Sequence, residues 1–308
     1  MTSRSESPQS GENRYLPHAA LLGVQALFGS LPVIGKVVLA VMPPIALVGF
    51  RVGITALILV VVQAIRGRLW LRSRRDYLIM AGLSVFGVTL NQLLFIGGLS
   101  LTKASNTSLL AATIPIFTLA VSVVAGYERL RTGKVLGMLL AIIGVVVLID
   151  PRSASFSSDT TLGDILIVIN SLSYGIYVAL SKDVITRNGP FRSMMWIFVF
   201  AAIICVPLGG VSLYNAGAKG IGPGVWLLVL YIAVVATAGP YLLNAYAISK
   251  VPASVVAIYI YLQPIIGFVL AVLFLRESIG PAFITATALV FAGVWLASKK
   301  RNPRPEIA

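Results

Sequence analysis

Charge is scarce in this chain. Of its 308 residues only 11% are Asp, Glu, Lys or Arg, and 58% are hydrophobic. Soluble globular proteins carry about 25% charged residues, so an ordinary soluble enzyme is excluded. Cysteine and histidine occur once each, as Cys205 and His18. One thiol supports neither a disulfide framework nor a thiol zinc cluster. No Asp or Glu falls in the middle of an apolar run, because Asp76, Asp150, Asp164 and Asp183 all sit at run ends. Without a carboxylate to join that single histidine, a nucleophile–base pair of familiar type cannot be assembled. The reading is a non-enzyme with no metal and no cofactor. Residues 1–16 are polar and lack a signal-peptide pattern, which predicts a disordered cytoplasmic tail.

What the chain has instead is long neutral stretches. Residues 77–102, 104–127, 193–218, 220–249 and 251–275 carry no charge. A helix needs about 20 apolar residues to cross a bilayer, and barrel strands only ~10. The pattern therefore predicts an all-α polytopic membrane protein. Spans are expected near 17–39, 43–65, 77–98, 104–126, 133–150, 163–182, 192–214, 225–248, 252–275 and 280–298. The net charge of +14 invites nucleic acid as a partner, but its distribution argues against it. With the N-terminus in the cytoplasm, eighteen basic residues fall on that side and only Lys103, Arg152, Lys219 and Arg276 on the other. This positive-inside bias places both termini in the cytoplasm of a cell (inner) membrane protein. The lipid bilayer and a small molecule are the expected partners, with no obligate protein partner inferred.

The chain also repeats itself. Phe28-Gly29 and Lys36 recur as Tyr174-Gly175 and Lys182 at an offset of 146, and Pro44 maps onto Pro190. Ala104-Ser105, Pro115, Glu128 and Gly144 recur as Ala253-Ser254, Pro264, Glu277 and Gly293 at an offset of 149. Two five-helix units are expected, 17–150 and 162–298, joined by a Ser-rich linker at 151–161 and followed by a basic tail at 299–308. Five is odd, so the second unit enters the membrane from the opposite side. Inverted repeats of this kind are common in secondary transporters.

The segment ASNTSLLAATIPIFTLAVSVVAGYERL, Ala104 to Leu130, resembles the end of an EamA domain, with its small-polar start, proline and terminal Gly-x-Glu. The segment Ala253 to Ile279 resembles a second copy, although Leu275-Arg276-Glu277 lacks the glycine. Pro44 to Leu57, with Phe50-Arg51, resembles the family's second helix. The resemblance covers about residues 17 to 298. It implies the drug/metabolite transporter superfamily: ten helices, 5+5, around a central cavity lined by helices 1, 3, 4, 6, 8 and 9. It also implies export of amino acids or other small metabolites.

Polar residues inside spans face a cavity or another helix. Asn170, Tyr174, Tyr177 and Ser181 share one face of the sixth helix. Thr237, Tyr241 and Asn244 repeat that spacing on the eighth helix, Asn91 and Gln92 lie on the third, and Tyr259 and Gln263 on the ninth. Gln25 and Lys36 share a stripe on the first. The substrate-binding candidates are therefore Gln25, Lys36, Asn91, Gln92, Asn170, Tyr174, Tyr177, Tyr241, Asn244, Tyr259 and Gln263. For any one of them the alternative is a plain interhelical hydrogen bond, worth about 0.6 kcal/mol. Pro32, Pro115, Pro240 and Pro264 are candidate kinks or hinges, since each removes a backbone donor. Lys36 and Arg51 could each hold a carboxylate; Lys36 is preferred, and Arg51 is expected to snorkel to the outer interface. Eight of the eleven tyrosines lie from Tyr174 onward, which fits an aromatic amino acid stacked on rings. The absence of a mid-span carboxylate points to uncoupled transport or exchange. The competing reading is a nucleoside, sugar or drug exporter with proton coupling.

Overall fold

Helices account for the ordered backbone, and no strand occurs among the described residues of this computed structural model. Those residues are 15–102, 107, 110–149, 158–217, 221–263, 265–266 and 281–298. In chain order they form α1 (Leu16–Gly29), α2 (Leu31–Leu39), α3 (Pro44–Ile65) and α4 (Arg74–Leu101). Next come α5 (Ile114–Val124), α6 (Thr132–Ile149), α7 (Ser158–Leu180), α8 (Lys182–Asn188) and α9 (Pro190–Asn215). The last are α10 (Pro223–Lys250), α11 (Ala253–Leu262) and α12 (Pro281–Ser298). By length and composition α3, α4, α7, α9 and α10 can each cross a membrane, and α1, α5, α6, α11 and α12 are shorter apolar helices. Leu57, Ile203, Val211, Leu227 and Phe291 point outward and are exposed, an apolar exterior suited to lipid.

Several boundaries differ from expectation. The first span is broken at Ser30, whose hydroxyl donates to the Leu27 carbonyl at 2.8 Å, and a second helix starts at Leu31. Pro32 has no amide to carry the ladder across that break. The end of the expected linker is helical, because α7 starts at Ser158. The rest of the linker, the first fourteen residues, the 299–308 tail and Pro264 lie outside the described residues.

Two interruptions inside long helices have no counterpart in the sequence pattern. Val85–Thr89 in α4 and Val234–Ala238 in α10 are single π turns. They are related by the same offset of 149 as the sequence motifs. In each, the following amide reaches back five residues, from Leu90 to the Val85 carbonyl and from Gly239 to the Val234 carbonyl. Such turns are rare and concentrate at functional sites.

Packing between the halves uses small residues. On α6 the small residues Gly133, Gly137, Ala141 and Gly144 form a ridge that meets α12. A Cβ on Gly137 would lie 2.6 Å from the Gly293 carbonyl oxygen, and one on Gly144 would lie 2.8 Å from the Ala286 oxygen. Under the offset of 149, Gly137 maps onto Ala286 and Gly144 onto Gly293. Each contact is thus the other with its partners exchanged, as a two-fold relation requires. Backbones approach in the same way between α3 and α9, where a Cβ on Gly49 would meet Gly209 Cα at 2.8 Å.

Gly137→Val and Gly293→Val should each cost about 1–3 kcal/mol from overpacking, read as a lower unfolding midpoint in detergent. Gly133→Ala is the control, since its nearest neighbour, the Leu296 oxygen, is 3.9 Å away. It should leave the midpoint unchanged.

Candidate substrate cavity

Side chains bond the backbone carbonyls at or beside both π turns and so gather polar groups at the centre of the bundle. Ser173 on α7 donates to the Phe86 carbonyl at 2.8 Å, and the Tyr241 hydroxyl is 2.9 Å from the Gly87 carbonyl. Just before the related turn, Thr55 donates to the Ala233 carbonyl at 2.9 Å and Thr237 to the Ile232 carbonyl at 2.7 Å. Pro240 stands two residues after the second turn, past Gly239, and has no amide hydrogen to give to it.

Around these turns lies a cavity of about 90 Å³. Eight of the predicted residues line it: Gln25, Asn91, Gln92, Asn170, Tyr174, Tyr241, Asn244 and Gln263. They are joined in hydrogen-bonded pairs. Asn91 Nδ2 donates to Asn170 Oδ1 at 2.8 Å, and Gln92 Nε2 donates to the Tyr241 hydroxyl at 3.1 Å. Asn244 Nδ2 donates to the Tyr174 hydroxyl and Gln263 Nε2 to Gln25 Oε1, both at 2.8 Å. The Tyr241 ring is held edge-on by Phe28 and Phe198, at centroid distances of 6.0 and 5.0 Å. Gln92 and Tyr241 occupy equivalent positions in the two halves and touch each other.

Two predicted tyrosines fall outside this group. Tyr177 is fully buried behind the wall, its hydroxyl 3.7 Å from Met194 sulfur. Its ring packs on Gly87, where any Cβ would overlap it. Tyr259 is turned toward the start of α1, with its hydroxyl 2.7 Å from His18 Nδ1. The side chain of Lys36 lies outside the described residues, as does Pro264. Pro32 and Pro115 each stand in the first turn of a helix, where a missing amide is readily tolerated, whereas Pro240 lies inside α10 beside its π turn.

Arg51 corrects a prediction. It does not snorkel to an interface: it is 0% exposed and forms part of the cavity wall. Its Nε and Nη2 donate to Thr237 Oγ1 at 3.1 and 2.9 Å. The neighbouring π turn explains this. Thr237 gives its own proton to the Ile232 carbonyl, which leaves its oxygen free to accept from the guanidinium. The Phe50-Arg51 pair was visible in the sequence, but the π turn that makes an interior partner for it was not.

The EamA-like transporter pattern matches residues 17–150 and again 161–299. This chain belongs to the EamA-like transporter family. It is a multi-pass membrane protein of the drug/metabolite transporter superfamily. Its relatives include an uncharacterized transporter of Archaeoglobus fulgidus, 27% identical over 75% of this chain and 79% of the relative. The uncharacterized transporter YetK of Bacillus subtilis is 22% identical over 93% of this chain and 88% of its own length. A solved crystal structure superposes with a TM-score of 0.73 at 19% identity, covering 91% of this chain and 96% of that one, a likeness of fold.

The two EamA copies are tied together at the end of the bundle that carries most of the arginines. Glu128, the last residue of the Gly-x-Glu motif in the first copy, accepts from Lys134 and from the Ser254 hydroxyl and amide, at 2.6 and 3.0 Å for Ser254. Ser254 opens α11, so the carboxylate also faces a helix N-terminus. Lys182 donates to the Val251 carbonyl at 3.1 Å, and Arg187 and Asn188 hold Asp76. Burial pushes the Glu128 carboxyl up, but the bonds from Lys134 and Ser254 outweigh it and hold the group below the usual glutamate value.

Because Glu128 titrates lower in the folded chain, its tie acts fully above the unfolded value of about 4.3. It is lost as pH falls through the lower folded value. The unfolding midpoint in detergent should therefore drop between about pH 5 and about pH 3. Glu128→Gln should lower the midpoint at neutral pH and flatten that drop; an undiminished acid slope would show that Glu128 does not cause it.

Proposed function

We propose that this EamA protein carries small metabolites across the cell membrane by alternating access, amino acids and among them aromatic ones being the leading substrates. The ten apolar helices and helix pairs, counted with α2 as the end of the first span and α8 as a connector, make up two inverted five-helix repeats. Both termini face the cytoplasm, and export is the working direction. The observation that carries this reading is the Gln92–Tyr241 hydrogen bond. Equivalent residues of two repeats can touch only beside the axis that relates them. The cavity therefore sits where inverted-repeat carriers hold substrate, and its amides and phenols suit a small polar molecule with a flat ring. The relatives are themselves named as transporters.

The cavity wall offers amides, phenols and one guanidinium, which supports uncoupled transport or exchange. A specific contact favours a second, proton-coupled reading with a nucleoside, sugar or drug as cargo. His18 joins Tyr259 across the two repeats at 2.7 Å, and an imidazole–phenol pair can pass a proton.

Uptake of labelled L-phenylalanine and L-tyrosine into proteoliposomes, with and without a pH gradient, separates the two. Saturable uptake indifferent to the gradient is expected, with Asn244→Ala raising KM about tenfold by removing the donor to Tyr174. Accumulation driven by the gradient would establish the second mechanism. No saturable flux of any amino acid would overturn the substrate class.

A further inference from the structure

A guanidinium enclosed in a bilayer protein needs an anion, and Arg51 has only a neutral one-atom partner. Thr237 Oγ1 accepts from both Nε and Nη2, while buried Nη1 makes no hydrogen bond at all. Among the described residues, the buried carboxylates are engaged elsewhere: Asp76 with Arg187, Glu128 with Lys134, and Asp164 with Thr102. Among the described residues, no Asp or Glu lines the cavity that Arg51 helps to wall. A buried charge left in this condition is strongly unfavourable unless something pairs it. Thr237 holds the guanidinium by one edge, which fixes its plane and leaves Nη1 as the free corner. The Nη1 side is left to donate to an anion such as a carboxylate.

From this we infer that Arg51 is the anion anchor of the cavity, and that the site takes small carboxylates with an apolar or aromatic body. The rest of the wall agrees. Phe28, Phe95 and Tyr241 supply ring surface and Asn91 and Gln92 supply amides, but no described side chain of the wall offers an ammonium group a negative partner. A monoanion therefore finds a charged partner, a zwitterion finds one for its carboxylate only, and an amine finds none among the described residues of the wall. Symmetry does not duplicate the anchor, because Arg51 maps at the offset of 146 onto Ile197, a buried aliphatic residue. The ligand is thus bound in one orientation. The inference deepens the proposed carrier reading and rests on it for the cavity's role, but binding alone tests it.

The probes are 3-phenylpropionate, L-phenylalanine and 2-phenylethylamine, which share a ring and differ in charge. Binding to the purified full-length protein in detergent is measured by calorimetry at neutral pH. Wild type should bind phenylpropionate at least as tightly as phenylalanine, and both about 10–100-fold tighter than the amine. Arg51→Gln should erase the difference between acid and amine, and Arg51→Lys should keep part of it. Equal binding of acid and amine by wild type overturns the inference, and needs no variant that must fold. So does a folded Arg51→Gln protein that still prefers the acid. Acid-selective binding without flux would leave the anchor standing and sink the carrier reading; saturable flux of the acid unaffected by Arg51→Gln would do the reverse.

Discussion

A carbonyl released from its helix inside a bilayer has no water to turn to, so the protein itself must supply the donor. Two π turns, at equivalent places in the two EamA repeats, impose that requirement on the middle of this molecule. Ser173 and Tyr241 supply donors at the first turn, and Thr55 and Thr237 bond the carbonyls just before the second. Each is drawn to the centre by the backbone of a helix other than its own, except Thr237, which serves its own. From there the arrangement propagates. Tyr241, pinned at Gly87, receives Gln92, and Thr237, pinned at Ile232, receives Arg51.

The scaffold obeys the repeat and the lining does not. The α6–α12 contact exchanges into itself under the offset of 149, and α3 meets α9 through a similar glycine approach. Equivalent lining positions carry different chemistry: Gln92 opposite Tyr241, and Arg51 where the other repeat has Ile197. This division has a physical logic. Alternating exposure needs two halves of similar shape, whereas recognition of an asymmetric ligand needs unlike groups around it. Shape is kept by small residues at the helix contacts, and difference is confined to side chains at the axis.

Much of this was legible in the sequence, for reasons that also mark the limit. Neutral windows disclose helices because the bilayer tolerates little else, and recurring Pro, Glu and Gly disclose the repeat. Polar residues at helical spacing disclose a face, and eight candidates do meet around the cavity. A stripe gives an angle about the helix axis but not how deep that face is buried, so Tyr177 shares the stripe of Tyr174 and still ends behind the wall. What places it there is the missing side chain of Gly87 on another helix. The π turns left no mark either. The segments VFGVT and VVATA read like any other apolar stretch. Since Arg51 owes its partner to one of those turns, its interior position could not be read from residues 44–57 alone.

The contacts between the repeats fall into two kinds, and they differ in how readily they give way. Around the cavity and at the arginine-rich end they are hydrogen bonds and ion pairs, the hydrogen bonds each worth about 0.6 kcal/mol on average in a membrane protein. At α6–α12 and α3–α9 they are backbone surfaces in van der Waals contact, which dense packing makes hard to deform. In a carrier of the proposed kind, motion should therefore break the first kind and pivot on the second. Glu128 then has a particular place. It holds the end of the first repeat to the opening turn of α11 in the second, at the end of the bundle away from Arg51 in the proposed topology. A ligand that neutralises Arg51 at one side and the release of Ser254 at the other act on the same two bodies. Both are electrostatic changes, and both lie on the weak set of contacts.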